Sequence, residues 1–298
     1  ATDGSLRMNA IERKFSVYGQ TLSALEWPGR DDDETAEPVL ELHGWLDNAA
    51  SFSPLSTYLK RPLLALDVSG HGHSDHRPDG VVTHLVDHVR DVLAVVDQLG
   101  WERFTLMGHS MGAGIACLFA AACPERVSRL VLIEGLGPPS TDGKDVATNL
   151  RKALDDSASL AGKRKPVYAR VDDAIEARTK GFGGLNHEAS ALLSERGLMP
   201  VEGGWTWRAD SRLRLTSFLR LTEEQVEGFI RAIKAPTCLI IGEQGMGGNG
   251  MFDHRLGWLE GASIVRLPGR HHLHMEAPES VAASINDFLC ATDAIIED

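Results

Sequence analysis

Apolar residues along the chain follow two rhythms. Short apolar runs at 38–42, 63–67, 103–107, 127–133, 236–241 and 263–267 are bounded by Gly, Pro, Asp or Arg. They have the length of buried strands rather than of helices. Between them, apolar residues recur every three or four positions. Leu85, Val89, Val92, Leu93 and Val96 do so within 81–99, which predicts a helix stopped by Gly100. Small residues over 113–122 predict a second helix, and an amphipathic pattern over 281–290 predicts a closing one. A short helix is expected at 52–59 and a helix or turn at 252–259. At the start, alternating stretches 11–18 and 20–26 meet at Gly19 and predict an antiparallel hairpin. The acidic stretch 29–37 predicts an exposed turn. Strands alternating with helices predict an α/β fold, a mostly parallel eight-stranded sheet wrapped on both faces.

The alternation stops between 138 and 234. This stretch is rich in Ala, Leu, Arg, Asp and Glu. Its spacing predicts helices over 146–161, 171–179, 186–196 and 222–234, with Trp205-Thr206-Trp207 among them. It is too long and too patterned for a loop. A helical insertion covering the sheet edge is expected, a cap or lid over a core made of 1–137 and 235–298. Trp205 and Trp207 are expected to line an apolar cleft beneath it.

The candidate chemistry centres on Gly108-His109-Ser110-Met111-Gly112, a G-x-S-x-G match lying between a predicted strand and a predicted helix. A serine at such a junction sits in a strained turn, so its flanks must be small. The turn exposes the Ser110 hydroxyl and aims the first helical amides at whatever Ser110 attacks. His43-Gly44-Trp45 follows another strand. Gly44 permits a bend that points the Trp45 amide across the sheet edge, and Met111 supplies a second amide. Acyl transfer needs two such donors for the charge that develops on the carbonyl oxygen. His43 itself reads as a loop histidine bonded to backbone. His43, Ser110, Glu134, Glu243 and His271 all follow predicted strands, and in parallel sheets functional groups gather at that edge.

Composition narrows the function. A net charge of -12 over 298 residues excludes a basic nucleic-acid-binding face. Cys117, Cys123, Cys238 and Cys290 have no metal spacing and read as thiols of a reducing, cytoplasmic compartment. No apolar run reaches the ~20 residues of a membrane helix, and no signal-peptide pattern opens the chain. Met8 is a candidate natural start, with 1–7 preceding it. His71, His73 and His76 lie near Asp67 and Asp75, but a loop capped by Ser74 or Asp75 accounts for them better than a metal does.

His43-Gly44-Trp45, the stretch from Asp67 to Asp75, Gly108-His109-Ser110-Met111-Gly112, and Gly269-Arg270-His271 with Glu276-Ala277-Pro278-Glu279 stand in one order and spacing. In these the chain resembles α/β-hydrolase fold proteins over nearly its whole length, most of all the serine-hydrolase-like and carboxylesterase group with a helical cap. The resemblance implies Ser110 as nucleophile and His271 as base. The family's base stands five residues before the Glu of E-x-P-E, which selects His271 over His272 and His274. The family's acid is an aspartate in G-x-x-D, but Gly242-Glu243-Gln244-Gly245 puts glycine there. Some members carry the acid one strand earlier, where Glu134 stands; Asp253 and Glu243 remain rivals. The resemblance implies cofactor-free hydrolysis of small carboxylic esters through an acyl-enzyme. A lyase or acyltransferase on the same fold, or a hydrolase-derived ligand receptor, stays open, as does the oligomeric state.

Overall fold

The computed structural model describes residues 10–29, 36–160 and 162–296. Eight strands form one sheet. In chain order they are β1 (Ile11–Val17), β2 (Gln20–Trp27), β3 (Val39–Leu42), β4 (Leu63–Leu66), β5 (Phe104–His109), β6 (Val127–Ile133), then β9 (Thr237–Gly242) and β10 (Ser263–Leu267). The intervening β7 (Leu198–Val201) and β8 (Gly204–Trp207) form a separate antiparallel hairpin. The sheet order is β1-β2-β4-β3-β5-β6-β9-β10. β1–β2 and β2–β4 are antiparallel, and the remaining pairings are parallel.

The central strands are short apolar runs because both their faces are covered. Leu40, Leu42, Leu106 and Leu132 join one apolar cluster, which includes residues of α2 (Asp87–Leu99) and α3 (Met111–Ala122). Val39, Met107, Val131 and Ile133 join a second, with residues of α1 (Ser53–Ser56) and α8 (Pro278–Ile296). This division follows from the alternation of side chains along a strand. The first helix of the sheet expected at 81–99 begins only at Asp87. Its carboxylate accepts from the His84 amide at 2.7 Å, and Val81, Val82 and Val86 remain exposed. Of the acidic turn expected at 29–37, residues 30–35 lie outside the described ones; Glu37 accepts hydrogen bonds from Thr105 and Arg129, both at 2.8 Å.

The stretch 138–234 holds α4 (Val146–Leu160), α5 (Val171–Thr179), α6 (His187–Gly197), the β7–β8 hairpin and α7 (Glu223–Ala232). It is therefore not purely helical, as the spacing suggested. Gly203 adopts φ +87° and turns the hairpin. Trp205 and Trp207 belong to that hairpin. Trp205 bridges Tyr168, and the Trp207 ring packs on Tyr168 and beside Gly197. These contacts lie within the insertion. α7 buries Val226 and Ile230 in the same cluster as α3, so the chain rejoins the core before β9.

One core residue violates the pattern. Glu41 is wholly buried in β3, paired with Ala65 and Met107, and neither carboxyl oxygen meets a protein partner among the described residues. Burial pushes its pKa well above the usual carboxylate range. A group so shifted contributes stability that is full below the unfolded pKa of about 4.3 and is lost as pH rises through the folded value. Glu41→Met is expected to stabilise the protein by ~1–3 kcal/mol. The gain should grow as pH is raised from 4 towards 7 in urea unfolding. An equal midpoint for both proteins at every pH would contradict it.

Candidate active site

Ser110 stands between β5 and α3 with φ 52° and ψ -113°. Few non-glycine residues hold such a backbone, and strain of this kind persists only when the surroundings impose it. The surroundings here are two backbone approaches. A Cβ on Gly108 would lie 2.3 Å from the Gly112 carbonyl oxygen, and one on Gly112 would lie 2.0 Å from that of Leu42. Both glycines are required because main chain occupies the space of their side chains. Ser110 is left partly exposed at the C-terminal edge of the sheet.

His271 follows β10 and reaches back over this turn. Its Nε2 lies 3.0 Å from Ser110 Oγ, and its Nδ1 lies 3.1 Å from Glu134 Oε2. With its proton on Nδ1 donated to Glu134, the ring offers the Nε2 lone pair to the serine hydroxyl. Glu134 directly follows β6 with φ 52° and its side chain is fully buried. The Gly242 amide donates to Oε1 at 2.8 Å, and the Met246 amide to Oε2 at 2.7 Å. Gly245 explains how a glutamate fits there. A Cβ at 245 would sit 2.3 Å from Glu134 Oε2. The missing side chain of the G-x-x-D position is the space that the Glu134 carboxylate fills.

The rival acids lie elsewhere. Glu243 is exposed. Asp253 faces Arg266 at 3.7 Å with more than half its side chain in solvent. Met111 is the first residue of α3, so its amide has no intrahelical acceptor. The Trp45 indole donates to the Leu213 carbonyl at 2.8 Å, which fixes the residue beside the site. His43 is a structural histidine. Its Nδ1 donates to the Gly44 carbonyl and its Nε2 accepts from the Val68 amide.

The histidines near Asp67 also serve the fold. Asp67 accepts from the amides of Ala49 and His73, and Ser74 Oγ accepts from the Ser23 amide. A second buried group lies behind His271. The Asp47 carboxylate is met by Arg178 Nη2 at 2.5 Å and His272 Nε2 at 3.1 Å. Burial alone would raise its pKa, but His272 and Arg178 hold it well below the usual range. His109 Nε2 donates to the His271 carbonyl at 2.8 Å. Burial and the neighbouring histidines push His109 and His274 well below the usual imidazole range, so both are neutral. Ligand atoms of Asp47, His109 and His272 lie within 4.8 Å of one another, a spacing that could hold a cation; Arg178 already supplies a positive charge there.

Residues 37–247 match the family described as alpha/beta hydrolase fold. The chain belongs to that family. Among its relatives, a serine hydrolase-like protein of Danio rerio is 34% identical, covering 97% of this chain and 91% of the relative. Serine hydrolase-like protein 2 of Homo sapiens is 30% identical over 94% of each chain. A crystal structure of a hypothetical protein from Pseudomonas aeruginosa PAO1 superposes with TM-score 0.87 at 44% identity, covering 95% of this chain and 99% of that one. This is a serine-hydrolase-like member of the alpha/beta hydrolase family.

Sequence reasoning missed Asp47, Arg178 and Phe182 as neighbours of His271. Asp47 and Arg178 stand 131 positions apart, and Phe182 stands about 90 from His271, so no local spacing encodes these contacts. The steric reading of Gly245 gives a direct test. Gly245→Ala should displace the Glu134 carboxylate and lower stability by about 1–3 kcal/mol, the usual cost of overpacking. Thermal unfolding checks this; a melting temperature equal to wild type would show that the loop has room.

Proposed function

We propose that the protein is a carboxylic-ester hydrolase in which Ser110, His271 and Glu134 form a catalytic triad. The observation that carries the proposal is the continuous hydrogen-bonded line from Ser110 Oγ through His271 to Glu134, at a strained turn whose serine is partly exposed. Ser110 Oγ attacks the ester carbonyl while His271 Nε2 takes the hydroxyl proton. The amides of Met111 and Trp45 stabilise the oxyanion of the tetrahedral intermediate. Collapse breaks the bond to the alcohol, and His271 returns its proton to the leaving oxygen. Water, activated by the same imidazole, then attacks the acyl-enzyme and releases the acid. Glu134 holds the tautomer and balances the imidazolium. The chemistry needs no cofactor, and residues 138–234 act as the cap that shapes the pocket over a core of 1–137 and 235–298.

Ser110→Ala should abolish turnover of short-chain nitrophenyl esters while leaving the melting temperature nearly unchanged. An alkyl phosphonate should add to Ser110, as read by mass spectrometry; an adduct elsewhere sinks the proposal. Glu134→Gln should lower kcat by up to about 10⁴-fold, the loss known for a mis-set tautomer, with KM nearly constant. Retention of most activity in Glu134→Gln, with loss in Asp253→Asn, would move the acid to the loop after β9.

A further inference from the structure

The turn between α5 and α6 brings one aromatic side chain to the reacting groups. Gly181-Phe182-Gly183-Gly184 carries Phe182 to the His271 ring, edge to face, with centroids 5.5 Å apart. The same ring meets Trp45 at 5.9 Å, again edge to face. Phe182 therefore spans the base and the residue whose amide is assigned to the oxyanion, yet it stays 51% exposed. A large apolar side chain in that position is neither core nor free surface.

The turn is held at both ends. Before it, Arg178 in the last turn of α5 is paired with buried Asp47. After it, the Asn186 amide donates to Glu276 Oε1 at 2.7 Å, and Glu276 is itself paired with Arg270 at 2.6 Å. Inside these anchors the backbone is close to His271. Gly183 has φ +80°, and a Cβ there would lie 2.8 Å from His271 Cδ2. Any side chain larger than hydrogen at 183 would collide with the base, so Phe182 is the side chain that can reach the site from this turn.

We infer that Phe182 is the residue that sorts substrates by the bulk of their alcohol half. The inference rests on the reading of Ser110 and His271 given above. His271 must return a proton to the leaving oxygen, so that oxygen comes within hydrogen-bond reach of Nε2. The carbon attached to it then lies beside the His271 ring, on which Phe182 packs. The acyl chain extends from the other side of the carbonyl carbon and does not share this constraint. A wall at Phe182 thus limits the alcohol and leaves acyl length to other surfaces.

The test compares wild type, Phe182→Leu and Phe182→Ala on two series. One holds the acyl group as acetate and enlarges the alcohol from methyl to benzyl to naphthylmethyl. The other holds nitrophenol and lengthens the acyl chain. Phe182→Ala should raise the kcat/KM ratio of naphthylmethyl over methyl acetate by about tenfold, the scale of discrimination by pocket bulk. Phe182→Leu should raise it less, and the acyl-length profile should not move. An unchanged alcohol ratio, or an equal shift in the acyl series, overturns the inference. If esters are not turned over, the same ratio is read from rates of Ser110 phosphonylation with aryloxide leaving groups of two sizes. Adducts on Ser110 with an unchanged ratio in Phe182→Ala reject the role of Phe182 alone. Absence of an adduct on Ser110 in wild type rejects the serine-nucleophile reading and this inference with it.

Discussion

A carboxyl group buried at the end of β6 sets the geometry of the whole sheet edge. Removing a carboxylate from water costs several kcal/mol unless hydrogen bonds replace the lost solvent. Glu134 obtains them from the backbone of the loop after β9, through Gly242 and Met246, and from His271. β6 and β9 are neighbours in the sheet, so the carboxyl group staples two strand ends. The loop can present those amides only because residue 245 has no side chain. Moving any one of these parts would leave a buried acid without its donors. The position of His271, the course of the loop and the positive φ of Glu134 are thus one constraint seen from three sides.

His271 is fixed at its backbone as well as at its ring. The ring is oriented by Glu134, and the carbonyl accepts from His109, the residue just before the serine. His109 can act as a donor of fixed direction because burial keeps it neutral. Two acids serve this corner of the structure with separate tasks. Glu134 faces the His271 imidazole. Asp47 gathers Arg178 and His272 behind it. The cluster behind the site thus holds the backbone and ring that carry His271 in place.

The parts of this arrangement legible in the sequence are those that a local steric demand encodes. Ser110 was legible because a serine in a strained strand-to-helix turn needs small flanks, and Gly108 and Gly112 supply them. His271 was legible through the spacing to Glu276 that the family shares. Glu134 was legible because a glycine at 245 denies the usual place and the adjacent strand ends in a glutamate. The hairpin at 198–207 escaped a reading by helical spacing, although Gly203-Gly204 followed by Trp205-Thr206-Trp207 carries the two-residue period of a strand. The first turn lost from α2 escaped for another reason. Leu85 matched the period and packs on the core, but Val81, Val82 and Val86 stay exposed, and the Asp87 side chain accepts from the His84 amide instead. Asp47, Arg178 and Phe182 could not be found from spacing, since they meet only once the inserted segment is folded onto the core.

The way that segment is held explains why its shape and the shape of the site are linked. Arg178 reaches Asp47, which follows β3, and Arg196 reaches Asp67, which follows β4. Both carboxylates are buried, and both sit at the sheet edge that bears Ser110. From the core side, Arg255 bonds the carbonyls of Leu136 and Pro138, where the insertion departs, and the Glu223 carboxylate in α7, where it returns. Breaking a buried pair of this kind costs about 3–5 kcal/mol because one charge is left without its partner. A segment anchored through such pairs stays in register with the strand ends. The wall that Phe182 makes and the imidazole it covers are then positioned by the same framework, one through Asp47 and Arg178, the other through Asp47 and His272.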